Sequence, residues 1–183
     1  AAETAALSFD GTTDYCTISD NAAYDWPNDE ISISVKATIT DTVTFSSGRT
    51  LISKFTSPNS QREISFQVLT NGKLWVGLNQ TGGSSWPVQD QWTSDDALSD
   101  ISDEHTYGFS FDGPNYVFKM FVDGDEVTWT KNAVLGPISG IVDGTAVFQI
   151  GAIEADHSSS WKGTIRDVRV YDEKMIEANA EYI

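Results

Sequence analysis

Trp161-Lys162-Gly163-Thr164-Ile165-Arg166-Asp167-Val168-Arg169-Val170-Tyr171-Asp172 is the stretch whose reading decides the fold. Ile165 is apolar, and Val168 and Val170 resume the alternation after one extra residue. Side chains in a strand change face at every residue, so a slip of one within an alternating run predicts a β-bulge. Gly163 falls where the strand must begin after a loop, and Tyr171-Asp172 marks its end. A late core strand of this kind needs a sheet on both sides of it. Beyond it, residues 173–180 predict a short helical tail.

Working outward, the cleanest alternation runs over 31–40. Ile31, Ile33, Val35, Ala37 and Ile39 share one face, while Ser32, Ser34, Lys36, Thr38 and Thr40 share the other. One apolar and one polar side predict an antiparallel sheet with a wet face. Ile64, Phe66 and Val68 alternate up to Asn71-Gly72, and Leu74, Val76 and Leu78 alternate after it. Asn-Gly between two such runs predicts a hairpin closed by a type I′ turn, with Trp75 pointing away from the Leu74 face. Strands are also predicted at Leu7–Gly11, Tyr15–Ile18, Thr50–Phe55, Tyr107–Phe111, Tyr116–Val122, Val127–Thr130 and Val147–Gly151. Asn79 to Asp103, with Gly82-Gly83, Trp86-Pro87 and Trp92, reads as a long irregular loop, a kind of segment that often carries function. Many short strands separated by turns predict an all-β, two-sheet antiparallel β-sandwich or jelly roll. The 183 residues suit one such domain spanning 1–183.

Composition narrows the partners. With 27 acidic against 11 basic residues the net charge is −16, and such a surface repels phosphates and anionic lipids. Nucleic acid and membrane are therefore not expected partners, and no apolar run reaches the length of a membrane span. A single cysteine, Cys16, allows neither an internal disulfide nor a cysteine zinc site.

Leu7-Ser8-Phe9-Asp10-Gly11 with Asp14-Tyr15, then Ile31-Ser32-Ile33-Ser34-Val35, Phe121-Val122-Asp123-Gly124, Phe148-Gln149-Ile150-Gly151 and Trp161 to Tyr171 keep order and spacing over nearly the whole chain. In these residues the sequence resembles laminin G-like domains of the concanavalin A-like superfamily. The resemblance implies two antiparallel sheets but no single function, since that superfamily holds lectins, carbohydrate-binding modules, hydrolases, lyases, adhesion domains and viral surface proteins. The family usually has a Trp before the strand that here begins Tyr107-Gly108-Phe109, and this chain has His105 nearby.

Retaining glycosidases of that superfamily carry Glu-x-Asp-x-Glu on one strand face, which sets an acid and a nucleophile close together. No strand here has that spacing, and the Gln-x-His of alginate-lyase relatives is also missing, Ser65-Phe66-Gln67-Val68 lacking the His. The expectation is a protein that does not catalyse, with a polysaccharide-degrading enzyme the weakest alternative. Sugars stack their C–H faces on aromatic rings and need polar partners for their hydroxyls. Trp86 and Trp92 beside Gln89, Asp90 and Gln91 fit that chemistry, as do Trp161 beside His157, and Trp26. The resemblance also implies calcium, whose hard oxygen ligands would come from Asp10, Asp14 and Asp20 or from the acids of 95–103. Two readings follow. One is a module, extracellular or on a virion surface, that recognises glycans or a surface protein through loop aromatics. The other is a structural component of a virus or phage particle, acting by protein contacts as a homo-oligomer or in a lattice.

Overall fold

The computed structural model describes residues 5–40, 48–56, 61–80, 89–133, 137–153 and 159–174. Thirteen strands follow in order: β1 (Leu7–Asp10), β2 (Cys16–Ile18), β3 (Glu30–Ile39), β4 (Arg49–Thr56), β5 (Gln61–Val68), β6 (Leu74–Asn79), β7 (Gln89–Ser94), β8 (His105–Asp112), β9 (Val117–Val122), β10 (Asp125–Glu126), β11 (Trp129–Ala133), β12 (Phe148–Ile150) and β13 (Lys162–Tyr171). A single 3-10 turn at Ala22–Tyr24 is the helical element among the described residues. The strands form a six-stranded sheet, β1-β13-β3-β8-β9-β10, and a seven-stranded sheet, β11-β7-β6-β5-β4-β12-β2, with all pairings antiparallel. This is the two-sheet sandwich expected from the alternation.

The opening strand behaves as its spacing requires. Along the β13–β3 pair, Arg166 faces Lys36 and Arg169 faces Ser34, so three steps on β13 match two on β3. Asp167 takes the slack at φ 51°, a left-handed conformation that a bulge can demand. At its start Gly163 has φ 141°, and a Cβ there would lie 2.1 Å from the Thr38 carbonyl oxygen. Only glycine lets the two backbones approach this closely.

Ile31, Ile33, Val35, Ala37 and Ile39 meet Ile64, Phe66, Val68, Leu74, Val76 and Leu78 from the other sheet, all essentially inaccessible to water. Aromatic rings fill the space between. Trp92 stacks on Phe118 with centroids 4.1 Å apart, and Phe66 meets Phe109 edge-on at 5.3 Å.

Four expectations need correction. The polar face of β3 is not wet throughout, because Ser32 and Ser34 are buried. Ser32 Oγ donates to the Glu173 carbonyl, so the chain leaving β13 lies against it. The turn at 69–73 is not type I′: only Gly72 has positive φ (76°), with Gly72 N–H donating to Leu69 and Leu69 N–H to Lys73. That is a three-residue hairpin loop with glycine at the bulge position, and the two-residue turn with both φ positive occurs instead at Asp123-Gly124. Third, part of the long 79–103 segment is strand β7, whose inward positions Asp90, Trp92 and Ser94 hide the apolar alternation. Last, Glu173 is a bend and Lys174 has no regular structure; the remainder of the expected helical tail lies outside the described residues.

Candidate functional site

Three of the four tryptophans expected to meet a ligand are in the core. Trp26, Trp92 and Trp161 are 2%, 1% and 0% exposed. Trp92 sits between Phe111 and Phe118, and Trp161 donates its Nε1–H to the Thr38 carbonyl at 3.0 Å. An indole enclosed by protein has no face left for a sugar, so these three are corrected to structural residues. Trp86 and His157 lie outside the described residues.

The polar neighbours divide by strand parity. Gln89 begins β7, paired with Asn79. Asp90 points inward and is fully buried: Tyr116 donates to its Oδ2 at 2.5 Å, the Ile138 amide donates to the same oxygen, and Lys131 Nζ lies 2.9 Å from Oδ1. A carboxylate held this way is a structural ion pair, so Asp90 too is corrected. The arrangement acts on its partners: burial and the hydrogen bond to Asp90 raise the Tyr116 pKa. Gln91, one residue on, faces outward and is half-buried.

The three aspartates proposed for calcium do not converge. Asp10 and Asp14 share a turn in which Asp10 Oδ1 accepts the amides of Thr12, Thr13 and Asp14. The Thr12 and Thr13 hydroxyls donate to Oδ2, and these bonds, Thr12 Oγ1 foremost, pull the Asp10 pKa far below the carboxylate range. Asp20 instead faces Lys54 Nζ at 3.0 Å. That ammonium is 0% exposed and also donates to Glu63 Oε1 and Oε2 and to the Gly144 carbonyl. Donor groups already occupy the oxygens of Asp10, and a resident cation occupies those around Asp20, so this set does not fit calcium. Among the described residues no three His, Cys, Asp or Glu side chains gather in a way that could hold a metal ion. Burial pushes Glu63 up to about 8, outweighing the neighbouring Lys54.

His105, which stands near where the family usually has Trp, is likewise engaged. Its Nδ1 lies 2.6 Å from Asp123 Oδ2, and its Nε2 is 3.3 Å from the Asp100 carbonyl. Burial lowers the imidazole pKa, but the Asp123 bond and charge outweigh it, and the net shift is upward. The pair fastens the start of β8 to the Asp123-Gly124 turn, a packing role.

A different residue stands out once the sheets are assembled. Trp75, on β6, faces outward and is half-buried, and its ring lies flat along its own strand over Gly77. A Cβ at position 77 would come within 2.5 Å of the Trp75 ring, so the missing side chain is what lets the indole lie down. Cross-strand register builds two rows around it. One runs Gln67, Trp75, Thr93, Thr130 and the other Ser65, Gly77, Gln91, Asn132. Every other side chain in these rows is an amide or a hydroxyl. Gln67 Nε2 donates to Ser65 Oγ at 2.9 Å, and Asn132 Nδ2 to Thr93 Oγ1 at 2.9 Å, which orients amides at both flanks of the ring. The result is an aromatic platform bordered by neutral donors and acceptors. Sequence reasoning turned Trp75 away from the core; what it missed was Gly77 two residues on, on the same face.

The family model for the concanavalin A-like lectin/glucanases superfamily, of the laminin G type, matches residues 10–179. The chain belongs to that superfamily. Solved structures of the same fold include the carbohydrate-binding module (CBM40) of a Ruminococcus gnavus IT-sialidase bound to α2,3-sialyllactose. It is 14% identical, with a TM-score of 0.64 and 97% of each chain covered. A heptameric SAP-like pentraxin from Limulus polyphemus is 15% identical, with a TM-score of 0.60, covering 96% of this chain and 79% of that one. NanB, solved with Optactamide, is 16% identical, with a TM-score of 0.71; 97% of this chain corresponds to only 27% of that one. At such identities the likeness is one of fold. No curated protein matches the chain.

Proposed function

We propose that this domain is a non-catalytic glycan-binding module, and that its site is the outer face of the seven-stranded sheet centred on Trp75. The observation that carries this reading is the indole laid flat over Gly77 between rows of amides and hydroxyls. The outward, half-buried ring offers C–H stacking, and Gln67, Gln91, Thr93 and Asn132 offer hydroxyl partners at its edges. The superfamily and the CBM40 structure solved with a sialylated sugar support a carbohydrate ligand in general terms.

The buried acids agree with a binding role. Glu63, Asp90 and Asp112 each lie against a lysine: Lys54, Lys131 and Lys174. Acids each engaged by a lysine of their own are not the facing acid and nucleophile of a glycosidase. In the two rows Trp75 is the one apolar side chain, which favours sugar stacking over the broad apolar contact that a particle-surface structural role would use. Among the described residues no helix is long and apolar enough to cross a membrane. We place the domain outside the cell or at a cell surface, where glycans are displayed.

A glycan array followed by titration calorimetry tests the site. Specific binding that Trp75→Ala weakens by about tenfold or more is the expected result. Unchanged binding in Trp75→Ala would move the site elsewhere, and no binding to any glycan would end the reading.

A further inference from the structure

Given that reading, we infer that the Trp75 face selects uncharged glycans and rejects acidic ones, including sialylated, uronic and sulfated chains. The argument comes from where the cations are. All eleven Lys and Arg of the sequence fall within the described residues, so the position of every permanent positive side chain is known. Six of them, Lys36, Lys119, Lys162, Arg166, Arg169 and Lys174, belong to the six-stranded sheet or the chain leaving it. The other five are on the seven-stranded sheet or its β5–β6 turn, and all are engaged.

Lys54 is sealed against Glu63 and Asp20. Lys131 alternates with the outer row, pairs with Asp90 and donates to the Tyr116 hydroxyl. Arg49 Nη1 donates to the Ser160 carbonyl at 2.8 Å. Arg62 lies over the Phe55 ring, 5.0 Å from its centroid. Lys73 Nζ donates to the Asp95 carbonyl at 2.5 Å.

The full charges beside the rows come as a couple, Lys73, which shares the outer face with Trp75 by alternation from the inward Leu74, and Asp95, whose carbonyl it holds. Asp95 Oδ1 accepts from Thr130 Oγ1 at 2.6 Å, at the end of the Gln67–Trp75–Thr93–Thr130 row, and Asp95 is exposed. A carboxylate or sulfate brought onto Trp75 would find neutral amides, a lysine already held beside an exposed aspartate, and the field of a chain at −16. Acidic sugars are held by charge-assisted bonds from Arg or Lys, and the lysine on this face, Lys73, is turned onto Asp95 and away from the ring. A neutral sugar needs only the ring and the amides. The preference is therefore the opposite of the sialylated ligand named for the Ruminococcus gnavus module of the same fold.

The test compares matched pairs, such as lactose-terminated oligosaccharides with and without α2,3-linked sialic acid, on the wild type, Trp75→Ala and Asn132→Lys. Expected is binding of neutral glycans that Trp75→Ala removes, with the sialylated partner weaker by about tenfold or more. Asn132→Lys, which places a cation in the outer row without touching the core, should tighten binding of the sialylated partner itself, whatever it costs the neutral one. Equal or tighter binding of the sialylated partner, lost in Trp75→Ala, would overturn the selectivity while leaving the glycan site intact. Absence of any glycan binding, or binding indifferent to Trp75→Ala, would overturn both. Thermal melts of both variants establish that a loss of binding is not a loss of folding.

Discussion

Trp92 and Trp75 stand one register step apart on neighbouring strands: Val76 faces Trp92, and Trp75 faces Thr93. Yet Trp92 is 1% exposed and clamped between Phe111 and Phe118, while Trp75 lies half-buried on the opposite side of the same sheet. In sequence Trp92 is flanked by Gln91 and Thr93, whereas Trp75 is flanked by Leu74 and Val76. The difference is parity along the pleat, since a shift of one residue moves a side chain from the core to the surface. Residue type and local polarity therefore say little about which ring is free to bind.

The widest separation between the two regions should come from truncation. Trp92→Ala leaves a cavity among packed aromatics and should cost about 3–5 kcal/mol in urea unfolding. Trp75→Ala should cost far less stability and lose glycan binding instead; stability losses of similar size in both variants would erase the distinction. Nearly as large is the expected effect of Lys54→Ala. It leaves Glu63, Asp20 and the Gly144 carbonyl facing one another without the ammonium, at about 3–5 kcal/mol, with glycan binding retained in whatever remains folded.

A smaller effect separates the two sides by pH. Glu63 stands at about 8 in the fold against 4.5 for a free glutamate, so folding favours its protonated form. Its contribution is complete below about pH 4.5 and is lost as pH rises towards 8, so the melting temperature should decline across that interval and Glu63→Gln should flatten the decline. His105 contributes with the same sign over a range that begins higher: its pKa is raised above 6.5, so its support is full below that value and fades above it. His105→Ala should remove that component alone. The smallest expected effect is none: adding calcium or a chelator should leave the melting temperature unchanged, because Lys54 already holds the Asp20 end and Asp10 is saturated with donors. A calcium-dependent rise would point to ligands other than these.

The sandwich was legible because water imposes it residue by residue. Ile31 to Ile39 alternate since one side of β3 must be dry, and the slip at Asp167 shows as a break in that alternation. Strand β7 was not legible: its buried Asp90 is tolerable only because Lys131, Tyr116 and Ile138, at least 26 positions away in the chain, neutralise it. The loop aromatics misled for a related reason. Trp26, Trp92 and Trp161 have polar sequence neighbours but apolar spatial ones.

What the sequence determined alone was the class of fold and the net charge of −16, both of them properties of composition and short-range spacing. Tertiary structure decided which of the described tryptophans keep contact with solvent, which acids lie against lysines, and that four strands set Gln67, Trp75, Thr93 and Thr130 in one row. A binding face on a sheet is assembled across strands by register, and register depends on which distant segments pair.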